Sequence, residues 1–72
     1  MTEMQALTAT LEKLYENQVA LAASIEELAL WVEVRGEDAA TADNVRGALE
    51  TLDRNADSIS AAVQLLRGAK GQ

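Results

Sequence analysis

The sequence contains no cysteine, histidine, proline or phenylalanine, and each absence excludes a class of structure or chemistry. Without cysteine or histidine the chain cannot form a disulfide, a zinc finger, a thiol nucleophile or a serine–histidine triad. Any metal would have to be a hard cation held by oxygen ligands. Five valines, two isoleucines and two aromatic residues are too few to build the core of a sheet. Because alanine and leucine dominate instead, we expect an all-α fold.

Positive charge is also scarce, with 6 basic residues against 12 acidic ones and a net charge of -6. This balance repels phosphate groups and anionic lipids, so we expect no direct nucleic-acid partner and no membrane partner. The first residues lack the basic segment and apolar stretch of a signal peptide, and no uncharged run approaches the length of a bilayer span. The sequence therefore predicts a soluble, cytoplasmic protein.

The first half of the chain repeats large apolar residues at alternating steps of three and four, which is typical of a helix packed along one seam. The seam consists of Met4, Leu7, Leu11, Leu14, Leu21, Ile25, Leu28 and Val32. Thr2 and Gln5 match a capping box at the start, and Gly36 is predicted to supply the left-handed residue that ends the helix. We therefore predict a first helix over about residues 3–35.

The second half of the chain carries a seam of the same spacing without interruption. It consists of Ala42, Val45, Leu49, Leu52, Ala56, Ile59, Val63 and Leu66. Asp38 and Thr41 are both acceptable N-caps, and Gly68 is predicted to stop the helix. The sequence thus predicts one domain with a loop over about 36–40, a second helix over about 41–67 and a short tail over 68–72.

The two seams match when the chain folds back on its loop, so we predict an antiparallel helical hairpin. Paired residues, such as Val32 with Val45, Leu28 with Leu49 and Leu14 with Val63, would have numbers that sum to about 77 in this register. A hairpin of this size leaves each apolar stripe covered on one side only. We therefore predict that two or more copies assemble into a four-helix bundle, with a homodimer as the simplest case.

A second apolar stripe lies roughly opposite the seam of the first helix, in its C-terminal half. It consists of Val19, Ala23, Leu30 and Val34. Trp31 and Tyr15 flank the main seam on its two sides. Such a stripe is either buried by a partner or exposed as an interaction surface. We predict that Trp31 anchors an interface, because large rings carry much of the binding energy at interfaces; the alternative is that Trp31 widens the hairpin's own core.

Gln18 interrupts the seam of the first helix near its middle. A polar residue at such a position can fix register and oligomeric state if its amide meets a polar partner. Asn55, Ser58 or Gln18 of a second copy would be within reach in the predicted hairpin. The alternative is a side chain that extends to solvent from a loosely packed layer.

Acidic residues form one pattern that deserves a test for catalysis. Glu26-Glu27 together with Glu50 and Asp53 resembles the EExxE and ExxD signature of the MazG-like nucleotide pyrophosphatases, with Leu30 at the third glutamate of the first motif. The resemblance implies a helical, oligomeric enzyme that uses magnesium to hydrolyse a nucleoside triphosphate. The heptad spacing, however, turns Glu26, Glu27 and Glu50 away from the seam, whereas a metal site in a bundle needs carboxylates that point inward together.

The charges of the second helix favour a different role for Glu50. Acidic and basic residues alternate at steps of three and four along one face, which predicts a solvated salt-bridge ladder. Its members are Asp43, Arg46, Glu50, Arg54 and Asp57. A carboxylate between two arginines is a poor magnesium ligand, so we predict no catalytic residue, no metal and no cofactor.

Together these features predict a non-catalytic, acidic protein-protein interaction or adaptor module that self-associates through apolar helix faces. The predicted partner is a second copy, with another protein as a further partner. The alternatives are a degenerate MazG-like relative, and an inhibitor whose acidic residues occupy a basic protein surface. Those acidic residues are Glu26, Glu27, Glu33, Glu37 and Asp38. The candidate interface residues are Tyr15, Gln18, Val19, Ala23, Leu30, Trp31 and Val34.

Overall fold

A computed structural model describes the backbone of residues 1–70 and the side chains of residues 1–68. It contains two helices of equal length, α1 (Glu3–Val34) and α2 (Ala39–Lys70), packed against each other as an antiparallel hairpin. The molecule is 54 Å long and 17 by 13 Å across, as expected for a single layer of two 32-residue helices that each rise about 48 Å. The prediction of an all-helical hairpin is confirmed. Within the described residues, neither helix is long and apolar enough to cross a membrane.

The capping box at the start of α1 is confirmed. The backbone N–H of Gln5 donates to the Thr2 hydroxyl at 3.1 Å, and the Thr2 N–H donates to the Gln5 side-chain carbonyl at 2.9 Å. These two bonds satisfy donors that have no partner within the helix. They fix the first residue of α1 at Glu3, where the sequence placed it.

The connection corrects the prediction that Gly36 adopts the left-handed conformation. That conformation belongs to Glu37, whose φ is 53°, and no glycine of the described chain has a positive φ. Gly36 is needed for space instead, because a Cβ atom there would lie 2.7 Å from the carbonyl oxygen of Val32. The tight approach allows the N–H of Asp38 to donate to that same carbonyl at 3.2 Å and close the helix end.

Asp38, rather than Thr41, is the N-cap of α2. Its carboxylate accepts the backbone N–H of Thr41 at 3.0 Å and the Thr41 hydroxyl at 2.7 Å. These hydrogen bonds, the backbone one first, lower the pKa of Asp38. The helix therefore begins two residues before the predicted boundary. It also continues through Gly68 to Lys70, since Gly68 does not take up a left-handed conformation, and residues 71–72 of the predicted tail lie outside the described residues.

The predicted seam of α2 is the one that faces α1. Every member that the sequence indicates is buried or half-buried. The fully buried row consists of Ala42, Leu49, Ala56 and Val63, and the half-buried row consists of Val45, Leu52, Ile59 and Leu66. Both rows have the seven-residue spacing of a helix packed along its length.

The seam of α1 is rotated relative to the prediction. Its buried residues are Thr8 and Ala29, which the sequence reading did not include. Ala22 continues this row, and the neighbouring row is half-buried at the predicted seam positions Leu11, Gln18, Ile25 and Val32. The side chains at residues 8, 22 and 29 are small and face α2, whereas Tyr15 of the same row is 37% exposed.

Large leucines leave the seam as a result. Leu7, Leu14, Leu21 and Leu28 expose between 46% and 63% of their surface. Pairing Leu28 with Leu49 and Leu14 with Val63 in the hairpin's own core was therefore wrong. The leucines lie along one edge of the seam, beside the helix contact rather than within it.

Candidate interaction surface

Among residues 1–68, two ion pairs cross the hairpin, one beside the loop and one toward the other end. The Arg46 guanidinium donates to the Glu33 carboxylate at 2.7 and 3.4 Å, and Arg67 donates to Glu12. The hydrogen bond from Arg46, followed by its positive charge, holds the pKa of Glu33 below its ordinary value. In both pairs the residue numbers sum to 79, close to the predicted register. The ion pairs thus link the helices along their whole length.

The ion pairs also show which rows share a side of the hairpin. Residues seven apart lie in one row, so Glu12 and Glu33 form a row on one edge of the α1 seam and the four leucines form the row on the other edge. On α2, Arg46 and Arg67 lie on one edge of the buried row, and the half-buried apolar row lies on the other. Since the ion pairs join the two polar rows, both apolar rows face the opposite side.

We call these two sides the charged flank and the leucine flank. The charged flank is defined by Glu12, Glu33, Arg46 and Arg67. The leucine flank is defined by Leu7, Leu14, Leu21 and Leu28 of α1 with Val45, Leu52, Ile59 and Leu66 of α2. From Leu7 to Leu28 it extends about 30 Å at 1.5 Å per residue. A continuous apolar strip of this length is typical of an interaction surface.

A shallow depression lies beside the leucine row at the middle of α1. It is lined by Asn17, Ala20, Leu21 and Ser24. Leu21 forms one wall, and the small side chains on either side of it leave the space open. The surface at this point therefore has the form of a hole into which a side chain of another helix can pack.

Trp31 extends the leucine flank at the end that carries the loop. It lies one turn beyond Leu28 and exposes 61% of its surface, so it does not widen the hairpin's own core. With Leu30 and Val34 it lines a second depression, bordered by charged residues. Leu30, Val34 and Ala23 face away from α2, because none of them shares a row with the seam. The structure thus brings together three of the candidate interface residues, Leu30, Trp31 and Val34.

The remaining candidate interface residues lie apart from Trp31 and do not form one surface. Tyr15 and Val19 lie toward the charged flank, where Tyr15 lines the groove between the helices together with Glu12 and Arg67. Gln18 lies in the seam as predicted, and its Oε1 atom is buried without a hydrogen-bond partner among the described residues. The predicted neighbours Asn55 and Ser58 therefore do not donate to this oxygen.

The acidic residues do not form the arrangements that the sequence suggested. In the described part of the chain, no group of three acidic side chains lies close enough to hold a metal ion. Of the predicted ladder on α2, one ion pair forms within residues 1–68, between Asp43 and Arg46 at 4.0 Å, while Arg54 donates to the Thr51 hydroxyl. Two acidic residues of the alternative inhibitor surface, Glu33 and Asp38, are already bonded within the chain.

The exposed leucine row is the surface feature that the sequence did not predict. A heptad pattern assigns such leucines to the nearest partner helix, which here is α2. The sequence also places Thr8, Ala22 and Ala29 beside the leucines on α1. These small residues were the signal that could have indicated a contact with α2 in place of the leucines. No protein-family model, curated protein or solved structure matches the chain.

Proposed function

We propose that this protein is a non-catalytic, cytoplasmic interaction module that self-associates through its leucine flank. The observation that carries the proposal is the row of four leucines that the hairpin leaves about half exposed. Burial of the exposed half of one leucine contributes about 1 kcal/mol. A second layer of helices would gain this contribution along the whole flank.

A second copy of the chain is the occupant that the flank fits best. The flank is apolar on both helices, and an isologous contact covers the same surface of both copies at once. Two hairpins stacked in this way form a four-helix bundle, in which every helix has a neighbour in its own chain and one in the other. The charged flanks of the two copies then face solvent on opposite sides of the assembly.

Self-association also gives the module its adaptor role in this proposal. The outward face of α1, with Leu30 and Val34, takes no part in either the hairpin seam or the leucine flank. A dimer therefore presents this apolar face twice, and a protein that binds it would be brought together with a second copy of itself.

Capture of an untagged copy by a tagged copy tests the proposal. Replacement of Leu14 with aspartate should abolish capture, because it places a charge on the surface to be buried. Val19→Asp is the matched control, since Val19 is 47% exposed against 46% for Leu14 but lies toward the charged flank. Equal capture by both variants, or no capture by the unaltered chain, would contradict the proposal.

A further inference from the structure

We infer that two copies associate antiparallel, about a twofold axis near Asn17, so that Leu14 of each copy packs into the depression at Leu21 of the other. The inference rests on the proposed function and adds the orientation of the copies. The orientation follows from the distribution of charge along the hairpin, and the spacing of the leucine row then sets the level of the axis.

All of the net charge lies in the half of the hairpin that carries the loop. The register of the ion pairs places residue 18 level with about residue 60. Residues 19–60 contain nine acidic and three basic side chains, which gives a net charge of -6. The other half, residues 1–18 and 61–70, contains three of each sign and is neutral.

This distribution favours one orientation of a second copy. Helices packed against each other lie about 8–10 Å apart, which is comparable to the Debye length of about 8 Å at physiological salt, so repulsion between them is only partly screened. Parallel copies would place two halves of charge -6 side by side along the bundle. Antiparallel copies place each charged half beside a neutral half, which lowers the repulsion.

The leucine row fits the same orientation. It is symmetric about the midpoint between Leu14 and Leu21, so an antiparallel second copy brings Leu14 level with Leu21 and Leu7 level with Leu28. Leu14 of the second copy then lies over the depression lined by Asn17, Ala20, Leu21 and Ser24.

This arrangement also brings apolar side chains together at the ends of the bundle. Trp31 of one copy comes level with Met4 of the other, and Met4 is 40% exposed in the single hairpin. Contact between a thioether and an indole ring is favourable. The exposed aromatic side chain at the loop end thus gains a further apolar neighbour from the second copy.

Single cysteines test the orientation, because the chain contains none of its own. Thr10, Asn17 and Ser24 share one row beside the leucines. With the axis near Asn17, Asn17→Cys should cross-link to itself, whereas two Thr10→Cys residues would lie about 21 Å apart, beyond a short bis-maleimide. An equal mixture of Thr10→Cys and Ser24→Cys, one of them tagged, should give the mixed dimer as its main product.

The opposite pattern would overturn the inference while leaving self-association intact. If the chain sedimented as a dimer but Asn17→Cys did not cross-link to itself and the mixture of Thr10→Cys and Ser24→Cys gave no mixed product, the antiparallel orientation would be overturned. Val19→Cys, nearly level with Asn17 but toward the charged flank, is the control and should not cross-link; a yield equal to that of Asn17→Cys would also overturn the inference. A monomeric mass of the uncross-linked chain would overturn both the inference and the proposed function.

Discussion

Arg46 contacts Glu33 and Arg67 contacts Glu12 on one side of this hairpin, whereas on the other side the leucines beside the helix contact are left about half exposed. The difference follows from the length and chemistry of the side chains. An arginine can span the groove between two helices and find its partner within the same chain. A leucine row that flanks the contact needs another layer of apolar groups, which two helices cannot supply.

The two flanks therefore contribute differently to the molecule. Exposed ion pairs stabilise a fold only slightly, but they are directional and hold the helices in register. Apolar burial is not directional, but it is the main source of free energy for association. We interpret the charged flank as the side that is complete in one chain and the leucine flank as the side that requires a second.

The largest effect should come from a charge on the leucine flank. We expect Leu21→Asp to destabilise the assembled state by about 3 kcal/mol, since the carboxylate would be buried without a partner. The measurement is thermal unfolding by circular dichroism over about a hundredfold range of concentration, where a self-associating chain melts higher as concentration rises. The variant should melt lower and without concentration dependence. A melting temperature that stays concentration-dependent would show that the leucine flank is not the interface.

Removal of the indole ring at the loop end should have the next largest effect. We expect Trp31→Ala to weaken the dimer by about 2 kcal/mol, or roughly 30-fold in Kd, because a large ring at an interface contributes strongly to binding. Analytical ultracentrifugation of a dilution series measures this change. Leu65→Ala on α2 is the control, since Leu65 is 76% exposed and lies off the leucine flank. An unchanged Kd for Trp31→Ala would remove Trp31 from the interface.

Gln18 lies in the seam between the two flanks, and its substitution should have a smaller effect of opposite sign. We expect Gln18→Leu to stabilise the fold by about 1 to 2 kcal/mol, because the buried amide oxygen has no hydrogen-bond partner within the described chain. The melting temperature should rise while native mass spectrometry finds a less uniform oligomer, since a polar residue in a seam restricts register. A lower melting temperature with an unchanged mass would contradict this interpretation.

The smallest effect at neutral pH should come from the charged flank. Arg46 lowers the pKa of Glu33 in the folded state, so the unfolded chain takes up this proton more readily. The stabilisation is therefore present above the ordinary glutamate pKa of about 4.3 and is lost as the pH falls below that value through the lower pKa of the folded state.

Urea unfolding between neutral and acid pH measures this dependence. Glu33→Gln should flatten the acid side of the profile more than Glu27→Gln, since Glu27 makes no ion pair within residues 1–68. Identical profiles for the two variants would mean that the Glu33–Arg46 pair does not contribute to folding stability.

Much of the fold could be predicted from the sequence, and the seam of α2 was predicted completely. On α2 only one line of residues is apolar enough to face a neighbour. On α1 two lines compete, one containing Leu14 and Leu21 and one containing Thr8 and Ala29. The choice depends on how closely α2 approaches, which is a property of both helices together and not of the α1 pattern alone.

The loop and the candidate surface also depend on contacts between elements, which the pattern of one segment does not predict. A glycine after a helix predicts a left-handed residue, but here the close approach of Val32 decides the role of Gly36 and moves the left-handed conformation to Glu37. Trp31 could be selected from the sequence because it is large and lies off the seam. The leucine row could not, because its exposure becomes visible only once the hairpin contact is fixed.

Sedimentation equilibrium of the unaltered chain tests the central claim most directly. We expect the mass of two chains, with conversion to the mass of one chain by Leu14→Asp and no such conversion by Val19→Asp. The mass of a single chain for the unaltered protein at concentrations where its helices are fully formed would contradict the claim that the leucine flank binds a second copy.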